Sequence, residues 1–202
     1  MRKRRGTTPD AVHSVDRWVE EYLTKPHPGI GRAGAVCPFV GPARSAGTLV
    51  VQRWPVRPDA GEAELTAVIR EMTEAFHAHR WTTDNQVLHT LVVILDGLTD
   101  WPALDRVQAA AKTELVKQGL MLGQFHPLCD ERAARNPGFP VSCSPIPLLA
   151  LRHMAYHDIL FLHEDPEWFT EYRTRFGDRY DPEHRVDPLF AALYAEAAAR
   201  WP

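Results

Sequence analysis

The sequence is poor in cysteine, has little excess charge and contains no long apolar run, and each shortage excludes a class of protein. Its three cysteines, Cys37, Cys129 and Cys143, are widely spaced and form no Cys-x-x-Cys pair. This pattern argues against a disulfide framework and a structural zinc site, and is typical of reduced thiols in the cytoplasm. The net charge of -3 lacks the basic excess typical of nucleic-acid binding. No segment approaches the roughly 18 apolar residues of a membrane helix. We therefore expect a cytoplasmic protein with neither a nucleic acid nor a membrane as partner.

Two common motifs of nucleotide-binding proteins and hydrolases are missing as well. The sequence contains no Walker loop and no G-x-S-x-G. This absence removes the P-loop nucleotide-binding and serine-hydrolase interpretations. A G-x-G-x-x-G pattern occurs at 29–34, but it follows no predicted strand and opens no predicted helix, which is the context that a dinucleotide-binding fingerprint requires. No internal repeat, low-complexity block or linker divides the chain, so residues 1–202 are predicted to form one domain with residues 1–7 as a disordered tail.

The first half of the chain alternates between apolar strands and an amphipathic helix. A β-branched run at 48–56 and an apolar run at 88–95 predict two strands. Between them, a helix is predicted to begin at a capping box of Asp59 and Glu62. Its apolar stripe consists of Leu65, Ile69, Met72 and Phe76. Strand, helix and strand in this order predict a parallel pair, and therefore a single α+β domain with helices packed on a mixed β-sheet.

Local signals divide the rest of the chain. Thr8 with Pro9 predicts the start of a first helix, and Asp100 caps another that ends at Gly119. Residues 120–125 and 139–143 are predicted to pair as strands. Beyond them, the predicted elements are a short helix over 148–157, a strand over 159–162, and helices over 165–176 and 187–201. The last helix is rich in alanine. Such a helix can pack on another chain, so a homodimer is a possible assembly.

His126 is the first candidate for a functional side chain, because it ends an apolar strand and is followed by Pro127. A strand end lifts a side chain out of the core, and a neutral imidazole fixed in one tautomer suits a metal or haem ligand. A histidine that merely satisfies a turn carbonyl has the same pattern, so both interpretations stay open.

A histidine pair in the predicted 148–157 helix is the second candidate. His153 and His157 stand four residues apart, a spacing that puts both on one helical face and can hold zinc or non-haem iron. Asp158 is a third ligand in this interpretation, or it orients His157. The alternative is that these residues have a structural or surface role.

Cys37 and three arginines complete the candidates. Cys37 lies in a Gly/Pro-rich segment and can be a nucleophile, a thiolate ligand of haem, or a small buried apolar residue. Arg132, Arg135 and Arg152 can bind the propionates of a haem or the carboxylate of an amino-acid substrate, or remain solvated.

Several short segments resemble a known family. Cys37-Pro38-Phe39 resembles the Cys-Pro-Phe segment of the YqcI/YcgG family. Phe125-His126-Pro127 resembles the His-Pro segment of that family, which is followed by arginines, as it is here by Arg132 and Arg135. A weaker likeness continues through 139–140 and 164–169. This family contains haem-dependent N-oxygenases that act on amino-acid-like guanidino substrates. The resemblance implies that His126 is the iron ligand of a haem and that Cys37 lies near the pocket.

The leading prediction is therefore a haem-dependent oxidoreductase, a monooxygenase that hydroxylates a nitrogen of a small amino-acid-derived substrate in specialised metabolism. Arg132, Arg135 and Arg152 would bind carboxylates in this interpretation. Two alternatives remain. One is a non-haem iron or zinc enzyme that uses His153, His157 and Asp158, and the other is a non-catalytic binding protein in which the histidines are structural.

Overall fold

The centre of the molecule is a four-stranded mixed sheet. The structure, a computed structural model, describes residues 10–201. The strands are β1 (Leu49–Pro55), β2 (Thr90–Asp96), β3 (Leu120–Phe125), β4 (Arg132–Ala133), β5 (Asn136–Pro140) and β6 (Leu148–His153). The sheet has the order β1-β2-β6-β3, and β4 and β5 form a separate two-stranded ribbon. β1 and β2 are parallel, whereas β6 is antiparallel to both β2 and β3. The predicted α+β class and the parallel pair are confirmed.

Helices pack on both faces of this sheet. They are α1 (Ala11–Trp18, continued by a π-helical turn over Val19–Leu23), α2 (Val40–Ser45), α3 (Glu62–Ala78), α4 (Trp101–Lys117), α5 (Ile159–Leu162), α6 (Pro166–Phe176) and α7 (Pro188–Arg200). The predicted cap of α4 is confirmed, because Asp100 accepts a hydrogen bond from the N–H of Ala103 at 3.1 Å. The predicted Thr8–Pro9 start and the 1–7 tail lie outside the described residues.

Two apolar clusters occupy the two faces. On one face, α3 and α4 pack on alternate strand residues such as Leu122, Leu149 and Leu151. On the other face, α1 and the 30–40 segment pack on the intervening residues, among them Leu148 and Phe125. This alternation means that neighbouring strand residues face opposite sides of the sheet. A third cluster joins α5, α6 and α7 beside the sheet.

Four sequence predictions about local structure are wrong. Residues 120–125 do not pair with 139–143, because β6 lies beside β3 and β5 pairs with β4. Residues 148–153 form a strand instead of a helix, and Ile159–Leu162 is helical instead of extended. Short apolar runs buried on all sides carry no periodicity that distinguishes the two states. At α3, the N-cap is Gly61 with no side-chain hydrogen bond, so Asp59 forms no capping box.

No helix within residues 10–201 combines the length and the apolar character that crossing a bilayer requires.

Candidate metal centre

Three different donor groups meet where β3 ends beside α4. They are the carboxylate of Asp105, the imidazole of His126 and the thiol of Cys129, and one ligand atom from each lies within 4.8 Å of the others. Asp105 lies in the first half of α4, and His126 follows the last residue of β3. The turn after β3 brings Cys129 back, because its N–H donates to the carbonyl oxygen of His126 at 3.1 Å.

The His126 side chain is held rigidly and has a free ring nitrogen. It is 3% exposed, and its Nε2 lies 3.0 Å and 3.2 Å from the two carboxylate oxygens of Asp105. Trp101 stacks on the ring with centroids 5.5 Å apart. The other ring nitrogen, Nδ1, is buried without a hydrogen-bond partner. Buried polar atoms are normally paired, and hydrogen bonds within the chain account for Nε2 but not for Nδ1.

Burial keeps the Cys129 thiol protonated in the absence of a metal ion. Burial raises the pKa of its thiol to about 11, and the nearby charges of Asp105 and Glu131 add to the shift. At neutral pH such a thiol is protonated and is a poor free nucleophile. A metal ion reverses this preference, because a coordinated thiol loses its proton outright. The carboxylates of Asp105 and Glu131, which add to the larger effect of burial on the thiol, would attract such a metal ion.

The separation between the imidazole and the carboxylate comes close to that of a tetrahedral zinc site. Zinc–nitrogen and zinc–oxygen distances near 2.1 Å place two ligand atoms about 3.4 Å apart on a tetrahedral edge. The Nε2–carboxylate distances of 3.0 Å and 3.2 Å in the structure differ from this by a few tenths of an ångström. The carboxylate side chain of Asp105 is 43% exposed, so one side of the set is open to solvent. Three protein ligands with an open position are typical of catalytic zinc sites.

Main-chain hydrogen bonds hold the loop that carries the thiol and the imidazole. His126 and Cys143 form an isolated parallel bridge, and the N–H of Ser144 donates to the carbonyl oxygen of His126 at 3.3 Å. The Cys143 thiol donates to the carbonyl oxygen of Cys129 at 3.3 Å. These contacts fix the loop. The Cys129 sulfur itself makes a long contact, 3.7 Å, with the carbonyl oxygen of Gln124.

The comparison with protein families covers this whole arrangement. A family model described as a domain of unknown function, DUF6875, matches residues 12–187, and all three donors lie within that span. The chain belongs to the DUF6875 family. Neither a curated protein nor a solved structure matches it.

In this DUF6875 chain the residues assigned to a haem pocket do not converge. His126 faces α4, whereas Cys37 packs in the cluster on the opposite face of the sheet. Arg152 also lies on that opposite face, with its guanidinium 4.7 Å from the Phe39 ring centroid. A haem ligand presents a ring nitrogen to a flat macrocycle. Here Nε2 faces Asp105 and Nδ1 is buried, so this arrangement does not fit haem at His126.

The other two arginines are also engaged elsewhere. Arg132 is paired with Asp130 at the exposed start of β4. Arg135 lies 2.8 Å from a carboxylate oxygen of Asp187 at the N-terminus of α7. Each cation therefore has a carboxylate partner within the chain, and neither is directed towards His126.

The predicted His153–His157–Asp158 metal site is not assembled, because its helix does not exist. His153 ends β6 on the α3 side, where its ring lies 5.1 Å from that of Phe76. The His157 ring contacts Phe39 on the other side of the sheet, at 5.5 Å between centroids. Asp158 accepts two hydrogen bonds from Arg152, at 2.6 Å and 2.7 Å, so it is the partner of a buried cation instead of a metal ligand.

The position of His153 predicts an acid sensitivity. Burial, followed by the nearby His89 and His77, lowers its pKa. The unfolded chain takes up this proton near pH 6.5 and the folded chain only at lower pH, so stability should fall as the pH drops below about 6.5. Urea titrations of the metal-free protein between about pH 7.5 and 5.5 should show a smaller fall in the midpoint for His153→Gln than for the wild type. Identical pH profiles would contradict this assignment.

Proposed function

We propose that this protein is a zinc-dependent enzyme whose metal is held by Asp105, His126 and Cys129 at the end of β3. The observation that carries the proposal is the convergence of one oxygen, one nitrogen and one sulfur donor within 4.8 Å. Thiolate and imidazole ligands favour zinc over magnesium or calcium, which prefer oxygen donors alone. The free state of the three cysteines supports action in a reducing compartment such as the cytoplasm.

The ligand number supports catalysis over a purely structural role. Three protein donors leave a fourth position for water, and zinc lowers the pKa of a bound water to about 7. Asp105 forms the exposed side of the set, whereas the Trp101 ring covers the imidazole. Zinc held by these three residues would supply an activated water on the exposed side, and this chemistry would suit hydrolysis of a small-molecule substrate that reaches this edge of the sheet.

The haem-dependent N-oxygenase interpretation stays a prediction from the resemblance. Its proposed ligand, His126, belongs to the same cluster, so one set of variants tests both functions. Haem would require this imidazole to turn away from Asp105, whereas zinc coordination by both groups is compatible with the Nε2–carboxylate distances already present.

Metal analysis of the purified protein is the test. We expect about one zinc ion per chain after expression with zinc, since a three-ligand site retains the metal through purification. His126→Ala and Cys129→Ser should lose most of this zinc, whereas the control Cys37→Ser, on the opposite face of the sheet, should retain it. Thermal unfolding of each variant establishes that it is folded.

Cobalt substitution and haem analysis give the contradicting outcomes. Cobalt in the site should produce a thiolate-to-metal charge-transfer band that disappears in Cys129→Ser and persists in Cys37→Ser. A Soret band with stoichiometric haem, lost in His126→Ala, would instead support the oxygenase. Equal zinc contents in wild type and Cys129→Ser would overturn the zinc proposal.

A further inference from the structure

A second cluster of nitrogen donors lies at the other end of the sheet. β2 and β6 are antiparallel with Thr90 opposite Arg152, so continuing the register by one residue places His89 opposite His153. Directly opposed residues of an antiparallel pair lie on the same face, with Cβ atoms about 5 Å apart. In agreement, the two imidazole centroids are 5.7 Å apart, with their planes at 60°.

Aromatic neighbours hold both rings in place. Trp81 stacks on His89 with centroids 4.5 Å apart and planes at 7°. The Phe76 ring, from the last turns of α3, lies 5.1 Å from that of His153. Side chains locked by packing on regular elements position ligands more accurately than loop side chains do. The two imidazoles therefore form a fixed pair instead of two independently moving surface groups.

The buried member of the pair has an unused lone pair. His89 is 5% exposed, and its Nε2 lies 2.7 Å from the carbonyl oxygen of Thr83. A carbonyl only accepts, so Nε2 carries the proton and Nδ1 has the free lone pair. Nδ1 is buried and has no hydrogen-bond partner. Fixing one ring nitrogen by a bond to a backbone carbonyl is also how proteins orient metal-binding histidines.

We propose that His89 and His153 form a second site for a divalent transition metal, in which two imidazoles are the protein ligands and water completes the coordination. Imidazole donors without thiolate suit Zn²⁺, Ni²⁺, Co²⁺ and Cu²⁺. This site differs in chemistry from the one at Asp105, His126 and Cys129, because it offers neither sulfur nor carboxylate. It does not depend on the zinc site, and either can be present without the other.

Cobalt binding separates the two sites. In the full-length His126→Ala/Cys129→Ser variant, which leaves only Asp105 of the first site, titration with Co²⁺ should still give d–d absorption without a thiolate band. Adding His153→Gln should weaken this binding by more than about tenfold, since even loss of an outer-shell partner costs a metal site that much. Calorimetry measures the affinity, and thermal unfolding in EDTA confirms that each variant is folded.

His79→Ala in the same background is the matched control, because His79 contacts Trp81 but is not opposed to His153 in the sheet. Its cobalt affinity should remain unchanged. The proposal is overturned if the His126→Ala/Cys129→Ser protein binds no cobalt, if His153→Gln leaves the affinity intact, or if His79→Ala weakens binding as much as His153→Gln does.

Discussion

Replacing Asp158 with alanine should lower the free energy of unfolding by about 3–5 kcal/mol, the cost of leaving a buried charge without its partner. The Asp158 side chain is 1% exposed and that of Arg152 is 19% exposed. The carboxylate accepts both guanidinium hydrogen bonds and, at 2.7 Å, the N–H of Ala155. Removing it leaves the guanidinium against the apolar face and frees the N–H donor of Ala155.

Urea unfolding monitored by circular dichroism measures this loss, with Glu196→Ala as the control. Glu196 makes an ion pair of the same length, 2.6 Å, with Arg200, but the two side chains are 61% and 48% exposed. A surface pair of this kind contributes about 0–1 kcal/mol. If the two variants lost equal stability, the pair at Arg152 would be solvated and the structural role assigned to it here would be wrong.

This ion pair explains why Arg152 and Asp158 resemble functional residues in the sequence. Arginine and aspartate are both residue types that bind ligands or metals. Here each is the charged partner that makes burial of the other possible. The guanidinium also lies 4.7 Å from the Phe39 ring, so the pair connects β6 to the Cys37–Phe39 segment. The structure thus accounts for these residues through packing on the face away from the candidate metal centre.

The proposed zinc site is only partly predictable from the sequence, because a sequence pattern identifies only ligands that lie close together along the chain. His126 was found from its strand-end position, and the His-x-x-Cys spacing to Cys129 was available as a second signal. Asp105 lies 21 residues earlier, on α4. Its approach depends on how that helix packs on β3, and no local pattern encodes such a contact. The same limit applies to His89 and His153, which strand register alone brings together.

The fold was predictable wherever periodicity or capping was unambiguous. The α3 stripe repeats at helical spacing and is buried as predicted, and Asp165 accepts the N–H groups of Glu167 and Trp168 at the start of α6. The segment 148–151 carries no such signal, because a strand with neighbours on both sides and apolar clusters on both faces is continuously apolar, here as Leu-Leu-Ala-Leu.

Leu151→Ala tests the central position of that strand directly. Leu151 is 0% exposed and is paired with Leu91 on one side and Leu122 on the other. Truncating a leucine in such a position removes apolar burial and leaves a cavity, so the free energy of unfolding should fall by about 2–5 kcal/mol.

Leu128→Ala makes the same chemical change on a side chain that is 75% exposed, and should alter stability by less than about 0.5 kcal/mol. Because the two variants remove identical atoms, the difference between their urea midpoints reports burial alone. A small loss for Leu151→Ala would mean that residues 148–153 do not lie at the centre of the sheet. In that case the register that opposes His89 to His153 would be lost with it.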